Sequence, residues 1–287
     1  MPKYKIVYDR RNCIGVSSCA LLAEEFWKMN ADDKADLVGG KEKADGSWER
    51  QIDEKDLHKN KEAEAAVAEC TKARIKLAVM LQRRFFHNTA ALKKIVESRA
   101  LGEITKVHYE LNVNKTKEYY QGWRGKKELV GGGVLLCQGL HDIDRIAHCF
   151  GQPEIISSKI RTTRNYIDIE DEAEIMLQLP NNIPWKITAS ANSPTVWSGK
   201  ILVVGSKGSV LLDSEKVLEW KVPGVAMPAI NQKVDRDFVP VYYDPCHEEV
   251  IEDFIQSIMQ DKEPIINGES TLPALKTLFE IYEKSIP

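Results

Sequence analysis

Three stretches in the middle of the chain alternate apolar and polar residues with a period of two: Val107 to Val113, Ala173 to Leu179 and Trp185 to Ala191. That alternation sends successive side chains to opposite faces, so the chain must build a sheet with an apolar face that something has to cover. Ile201 to Val204 and Ser209 to Leu212 add a hairpin turning at Gly205-Ser206-Lys207-Gly208. The cover is written in helical periods. A helix from Glu62 carries Ala63, Ala66, Val67 and Cys70, and a second, capped by Asn88 or Thr89, turns Leu92, Ile95 and Val96 inward and stops near Gly102. Two more close the chain, one striped by Ile251, Phe254, Ile255 and Ile258, the other by Leu275, Leu278, Phe279 and Tyr282. The last is expected to start at Ser270 or Thr271 with Pro273 in its first turn, and both stripes read as core faces. Ile75 to Met80 reads as a buried strand.

The amino-terminal part has a different texture. Tyr4, Ile6 and Tyr8 alternate as a strand, and Ala20 to Trp27 reads as a short helix. Between Gly39 and Glu64 the chain is crowded with Lys, Asp and Glu, which places a boundary near residues 58 to 75 and suits a length of 287 residues divided into two domains. Forty Lys plus Arg against 43 Asp plus Glu give a net charge of −3, so no bulk attraction to nucleic acid or anionic membrane is expected. Met1 to Arg11 is charged, and no apolar run reaches the ~18 residues a membrane span needs, so the expectation is a cytoplasmic protein. In a reducing compartment the six cysteines are not a disulfide framework, which turns attention to metal or cluster chemistry.

Cys13 and Cys19 lie in Cys-Ile-Gly-Val-Ser-Ser-Cys-Ala-Leu-Leu-Ala-Glu. Laid on the C-x2-C-x2-C-x3-C-P run of iron–sulfur proteins, two of the four slots are thiolates and the second falls on Val16, which cannot ligate iron; that favours a 3Fe-4S cluster. With Tyr4-Lys5-Ile6-Val7-Tyr8-Asp9, Glu24-Glu25-Phe26-Trp27, Lys34-Ala35-Asp36-Leu37 and Ile52-Asp53-Glu54, the first 60 to 70 residues resemble the single-cluster ferredoxins. The resemblance implies a remote third ligand followed by Pro. Cys70 is the candidate, although Thr71 follows it. The alternatives are a small buried residue for Cys70 and a pair of reduced thiols in a degenerate module for Cys13 and Cys19.

Gly131-Gly132-Gly133-Val134-Leu135-Leu136-Cys137-Gln138-Gly139-Leu140-His141-Asp142 is the most distinctive run. Glycines ahead of a helix let a ligand approach backbone, the free amides of the first turn attract negative charge, and Cys137 and His141 share a face at i, i+4 spacing. Together with Ile75-Lys76-Leu77-Ala78-Val79, Gln82-Arg83-Arg84-Phe85, Tyr119-Tyr120-Gln121-Gly122-Trp123-Arg124-Gly125 and Val204-Gly205-Ser206-Lys207-Gly208, this run makes residues 61 to 287 similar to the Gfo/Idh/MocA oxidoreductases. The resemblance implies an open mixed sheet backed by helices, often a dimer contact, and a substrate that is a sugar or nucleotide sugar. It assigns His141 as the acid/base or hydroxyl-orienting group and puts Cys137 where the family has Asp or Asn, while Tyr120, Trp123 and Arg124 are residue types that stack on and hydrogen-bond a sugar or phosphate. The family's Glu-Lys-Pro lysine has no counterpart, and no G-x-G-x-x-G follows a strand, so NAD(P) is not expected in this chain alone. Open alternatives are an interior His141, a zinc site begun by Cys137, His141 and His148, and a packed loop anchor at Tyr120 to Arg124.

The expected fold class is α+β: a small ferredoxin-like domain over residues 1 to 60, then an open mixed β-sheet domain over 61 to 287 with helices on one face. The expected function is electron transfer by a cluster on Cys13, Cys19 and Cys70, served by a redox partner protein and joined to a sugar-dehydrogenase-like substrate and dimerisation domain. The rivals are a non-catalytic carbohydrate-binding or scaffold dimer, a partial sugar dehydrogenase, and a chimeric or truncated reading frame.

Overall fold

The computed structural model describes residues 4–8, 27–29, 35–37, 40–43, 48–52, 59–229 and 246–285. Cys13 and Cys19 lie outside them, as does the helix expected over Ala20 to Trp27 apart from Trp27, which instead opens a strand. Two compact units, Met1–Ile75 and Lys76–Pro287, divide the chain.

In the first unit, β1 (Tyr4–Tyr8) pairs antiparallel with β5 (Trp48–Ile52), which also pairs with β4 (Lys41–Glu42). A separate two-stranded ribbon joins β2 (Trp27–Met29) to β3 (Ala35–Leu37). Helix α1 (Lys59–Ala73) follows and carries Cys70.

The second unit is built on one seven-stranded sheet. Its strands are β6 (Ile104–Asn114), β7 (Glu154–Arg161), β8 (Glu172–Leu179), β9 (Ile183–Ser190), β10 (Asn192–Gly205), β11 (Gly208–Asp213) and β12 (Lys216–Lys221). They lie in the order β12-β11-β10-β6-β9-β8-β7, and only β6 and β9 run parallel. The sheet is therefore mixed and open. The period-two residues do what their spacing predicts: Val107, Tyr109, Leu111, Trp185, Ile187, Ile175, Leu177, Ile201 and Val203 are all buried on one face. Against that face pack α2 (His87–Glu97) through Leu92 and Ile95, α4 (Leu140–Phe150) through Ile143 and Ile146, and α6 (Gly268–Lys284) through Leu278 and Ile281. The short α3 (Lys127–Val130) precedes the glycine run, and α5 (His247–Met259) precedes α6.

Four local expectations are corrected. Ile75 to Met80 is not a sheet strand: it contributes a single antiparallel bridge, Ala78 to Asn267, and Ile75 and Met80 are exposed. An apolar run states that burial is available, not that a sheet edge is free to receive it. Helix α2 is flanked at its start by Phe86, while Asn88 and Thr89 sit inside the first turn and spend their side chains on the carbonyls of Ser214 and Arg83. Helix α6 starts earlier than expected because Asn267 Oδ1 accepts the Ser270 N–H at 2.8 Å. The Ile251, Ile255 and Ile258 stripe of α5 is exposed, for this helix buries Val250 against Leu81 and Ile266 instead.

Among the described residues no helix is long and apolar enough to cross a membrane.

Candidate functional site

The glycine run has a reason within the chain. Gly131, at φ +83°, ends α3 in the left-handed region that glycine tolerates best. Gly133 lies against residue 170 so closely that an added Cβ would meet the Glu170 carbonyl oxygen at 1.8 Å. The amides that would make an anion seat are already engaged. Gly133 N–H donates to Glu170 Oε2 at 2.6 Å, Leu135 N–H to Oε1 at 3.1 Å, and Val134 N–H to the Glu170 carbonyl at 3.0 Å. Tyr282 O–H donates to Oε1 at 2.7 Å. Burial raises the Glu170 carboxyl above its ordinary value, against the pull of these hydrogen bonds. The expectation that this turn receives a ligand is therefore corrected: the chain fills it with its own carboxylate.

The turn that follows, Leu135–Gly139, is a π-helical turn leading into α4. Cys137 lies within this turn, and His141 lies in the α-helix that continues from it. Cys137 is exposed as a residue, but its Sγ is partly buried, donates to the Gly132 carbonyl at 3.5 Å, and is pushed up to about 11, by desolvation first and then by Glu170, with Lys115 and Arg124 opposing. At neutral pH it is a thiol. His141, the second residue of α4, is half-buried, one residue before Asp142.

Asp142 belongs to a buried ion network that sequence reasoning did not find. It has no exposed surface, and accepts from Arg83 Nη1 at 2.5 Å and from Arg145 Nη1 at 2.8 Å. Desolvation would raise its carboxyl, but Arg83 and Arg145 outweigh that and leave it lowered. Arg145 also reaches Thr89 Oγ1 at 2.8 Å and Asn88 Oδ1 at 2.9 Å. Beside it Arg84 forks onto Asp144 at 2.8 and 2.6 Å and continues to Ser270. The signal was present in Gln82-Arg83-Arg84-Phe85 and His141-Asp142-Ile143-Asp144-Arg145, whose opposite charges match pair by pair.

At the end of β6 the structure brings together an aromatic and cationic face. Register pairs Trp197 with Val113, two residues before Lys115. Lys115 Nζ stands 4.4 Å from the centroid of the Tyr119 ring and 5.9 Å from that of Trp197. Arg124 stands 5.4 Å from Tyr119 and 4.8 Å from Trp123, which is 51% exposed. Arg83 covers Trp197 at 5.5 Å, and Gln138 Nε2 donates to the Tyr119 hydroxyl at 3.1 Å. Cys137 belongs to this group through its electrostatic coupling to Lys115, Arg124 and Tyr119.

Of the three substrate residues expected, Trp123 and Arg124 are at the surface and Tyr120 is not. Its ring packs edge-on against Tyr119 at 5.1 Å, lies under Arg164 at 5.4 Å and joins Ile167 and Ile169 in a small core, and its hydroxyl is pushed up to about 12, chiefly by burial. Tyr120 anchors the loop that presents its neighbours. Lys115, Tyr119, Glu170 and Trp197 were missed because no motif spacing links them; they meet only through strand register and loop return. The zinc reading gains no built site: His148 lies 3.3 Å from Lys93 Nζ, and among the described residues no group of three His, Cys, Asp or Glu could hold an ion, while Cys13 and Cys19 of the cluster reading lie outside those residues. Cys70, in α1, has its carbonyl bonded to the Ile75 N–H and its thiol raised by burial and Glu69.

Comparison with known proteins gives two family matches. Residues 89–211 match the GFO/IDH/MocA C-terminal domain and residues 6–77 a 4Fe-4S single cluster domain. Two uncharacterized oxidoreductases of Schizosaccharomyces pombe are 26% identical over 141 and 142 residues, each match covering 47% of this chain and 38% of the relative. The chain thus spans well under half the length of the curated relatives it matches. Among solved structures, the WlbA dehydrogenase of Bordetella pertussis, in complex with NADH and UDP-GlcNAcA, is similar at a TM-score of 0.67 and 24% identity, over 79% of this chain and 66% of that one. The aldose-aldose oxidoreductase of Caulobacter crescentus, complexed with glycerol, gives 0.64 and 21%, over 79% and 66%. At these identities the likeness establishes a shared fold.

Proposed function

We propose that residues 76–287 are the substrate-binding part of a sugar-directed oxidoreductase of the Gfo/Idh/MocA type, and that residues 6–77 carry an electron-transfer module. The observation that carries the first half is the face at the end of β6, where Tyr119, Trp123 and Trp197 stand beside Lys115 and Arg124, and where Arg83 links Trp197 to Asp142, the residue after His141. Aromatic faces stack on the apolar faces of sugar rings, and guanidinium and ammonium groups hydrogen-bond their oxygens. Trp123 supplies the stacking surface, Arg124 the fork of donors, and Tyr120 fixes the loop beneath them. His141 orients a substrate hydroxyl or exchanges its proton. Cys137, protonated at neutral pH, serves as a weak donor and not as a base.

In the amino-terminal module Cys13, Cys19 and Cys70 would hold a cluster, 3Fe-4S by ligand count, that supplies one-electron transfer to a redox partner protein. Of these three only Cys70 is among the described residues. For a nicotinamide cofactor the fit is poor at the glycine run, where Glu170 occupies the amides that a pyrophosphate would need. A homodimer or higher oligomer through the sheet of the second unit completes the proposal. A second reading, a carbohydrate-binding dimer without catalysis, is favoured by one observation: a protonated thiol stands where the family has Asp or Asn.

Ligand-detected NMR on the full chain with a panel of hexoses and hexose derivatives tests the sugar site. Saturation transfer that falls at least about tenfold in Trp123→Ala, with an unchanged melting curve, is expected. No transfer from any sugar, or transfer indifferent to Trp123, contradicts it.

A further inference from the structure

Lys115 and Arg124 are nine residues apart in sequence, one just past the end of β6 and the other in the loop anchored by Tyr120. Both converge on one ring, at 4.4 and 5.4 Å from the Tyr119 centroid. A cation over an aromatic face is favourable, but two like charges over the same ring repel each other. Partial burial and the nearness of Arg124 both act to lower the Lys115 ammonium. Glu170, which couples electrostatically to Cys137, has its oxygens committed to two amides and the Tyr282 hydroxyl. Among the described residues no salt bridge joins Arg124 to a carboxylate. Gln138 directs its amide to the Tyr119 hydroxyl, which holds the ring in place beside the cations. Donors of one sign, fixed around a rigid aromatic platform at a half-buried rim, are the complement of an oxyanion and not of a neutral hydroxyl.

We propose that Lys115, Tyr119 and Arg124 form an anion subsite, so that the sugar taken by this face carries a carboxylate or a phosphate. Arg124 grips two oxygens with its fork, Lys115 supplies a point charge from the strand side, and exposed Trp123 stacks on the ring that bears the anion. This rests on the sugar-binding reading above and specifies the charge of its ligand.

The test is isothermal titration of the full chain with matched probes: glucose, galactose and N-acetylglucosamine, their uronates, and their 1-phosphates. At least one anionic set is expected to bind about tenfold or more tightly than its neutral parents, because a charge-assisted hydrogen bond contributes that much. The uronate and phosphate arms tell which anion is meant. The preference should shrink between 50 and 500 mM salt and be lost in Arg124→Gln and in Lys115→Gln, variants at the rim whose melting curves serve as the folding control. Neutral and anionic sugars binding alike, or a preference that survives both substitutions, overturns the anion subsite and leaves the sugar reading standing. Binding of none of the probes overturns both.

Discussion

Replacing Glu170 with alanine would reopen the turn that the glycine run closes. Three donors lose their acceptor: Gly133 N–H, Leu135 N–H and the Tyr282 hydroxyl. A buried donor left unsatisfied costs about 1–3 kcal/mol, so the gross loss is about 3–9 kcal/mol. Two effects reduce it: water reaching the vacated space, and the removal of a carboxyl whose ionisation burial already penalises. The expected net loss is about 2–5 kcal/mol. Glu170→Gln, which keeps one acceptor oxygen but sets an amide NH2 against a backbone N–H, should lose about 1–3 kcal/mol. The sign with pH follows from the raised carboxyl. Its stabilising contribution is full below the ordinary glutamate value and is lost as pH rises through the folded value, so Glu170→Gln should flatten that part of the stability curve. Urea unfolding followed by tryptophan fluorescence measures both quantities. A second readout separates this account from general damage. Glu170 raises the Cys137 thiol, so the pH profile of Cys137 alkylation, followed by peptide mass, should move from about 11 toward the ordinary thiol value in Glu170→Gln. Desolvation, the larger cause, stays in place and keeps it from reaching that value. A loss below about 1 kcal/mol in Glu170→Ala, or an unmoved alkylation profile in Glu170→Gln, refutes the reasoning.

Two further outcomes follow from the same packing. Asp142→Ala leaves Arg83 and Arg145 facing each other without their shared carboxylate, so chemical denaturation should show a loss of about 3–5 kcal/mol. Because the Asp142 carboxyl is lowered in the folded protein, its contribution is present above the ordinary aspartate value and lost as pH falls through the folded one, and Asp142→Asn should remove that acid limb. Gly133→Ala pushes a methyl group into the Glu170 carbonyl, so backbone must move and thermal melting should report at least about 2 kcal/mol of destabilisation.

What the sequence disclosed, it disclosed through periodicity. The buried faces of β6, β8 and β9 follow from alternation alone, and the β10–β11 hairpin turns at Ser206 and Lys207 within the expected four residues. Periodicity failed where it had to name a partner. The α5 stripe is apolar yet exposed, and Ile75 to Met80 is apolar yet makes only a single bridge and no sheet strand, because both patterns describe a side chain's preference and not the surface available to it. The site divides in the same way. Trp123, Arg124 and His141 could be read locally, whereas Lys115, Tyr119, Glu170 and Trp197 meet only through the register of β6 with β10 and the return of the chain through residue 170. The glycine run was legible as a close approach of backbone to something; that the something is Glu170 required the fold.

Anaerobic purification of the full chain, followed by iron and sulfide analysis and electron spin resonance, tests the union of an electron-transfer module with a sugar-binding domain most directly. About three irons per chain with the signal of an oxidised 3Fe-4S cluster, reduced threefold or more in Cys13→Ser and Cys19→Ser, is the predicted result. Colourless protein without iron would contradict it and leave a sugar-binding domain joined to a module that carries no electrons.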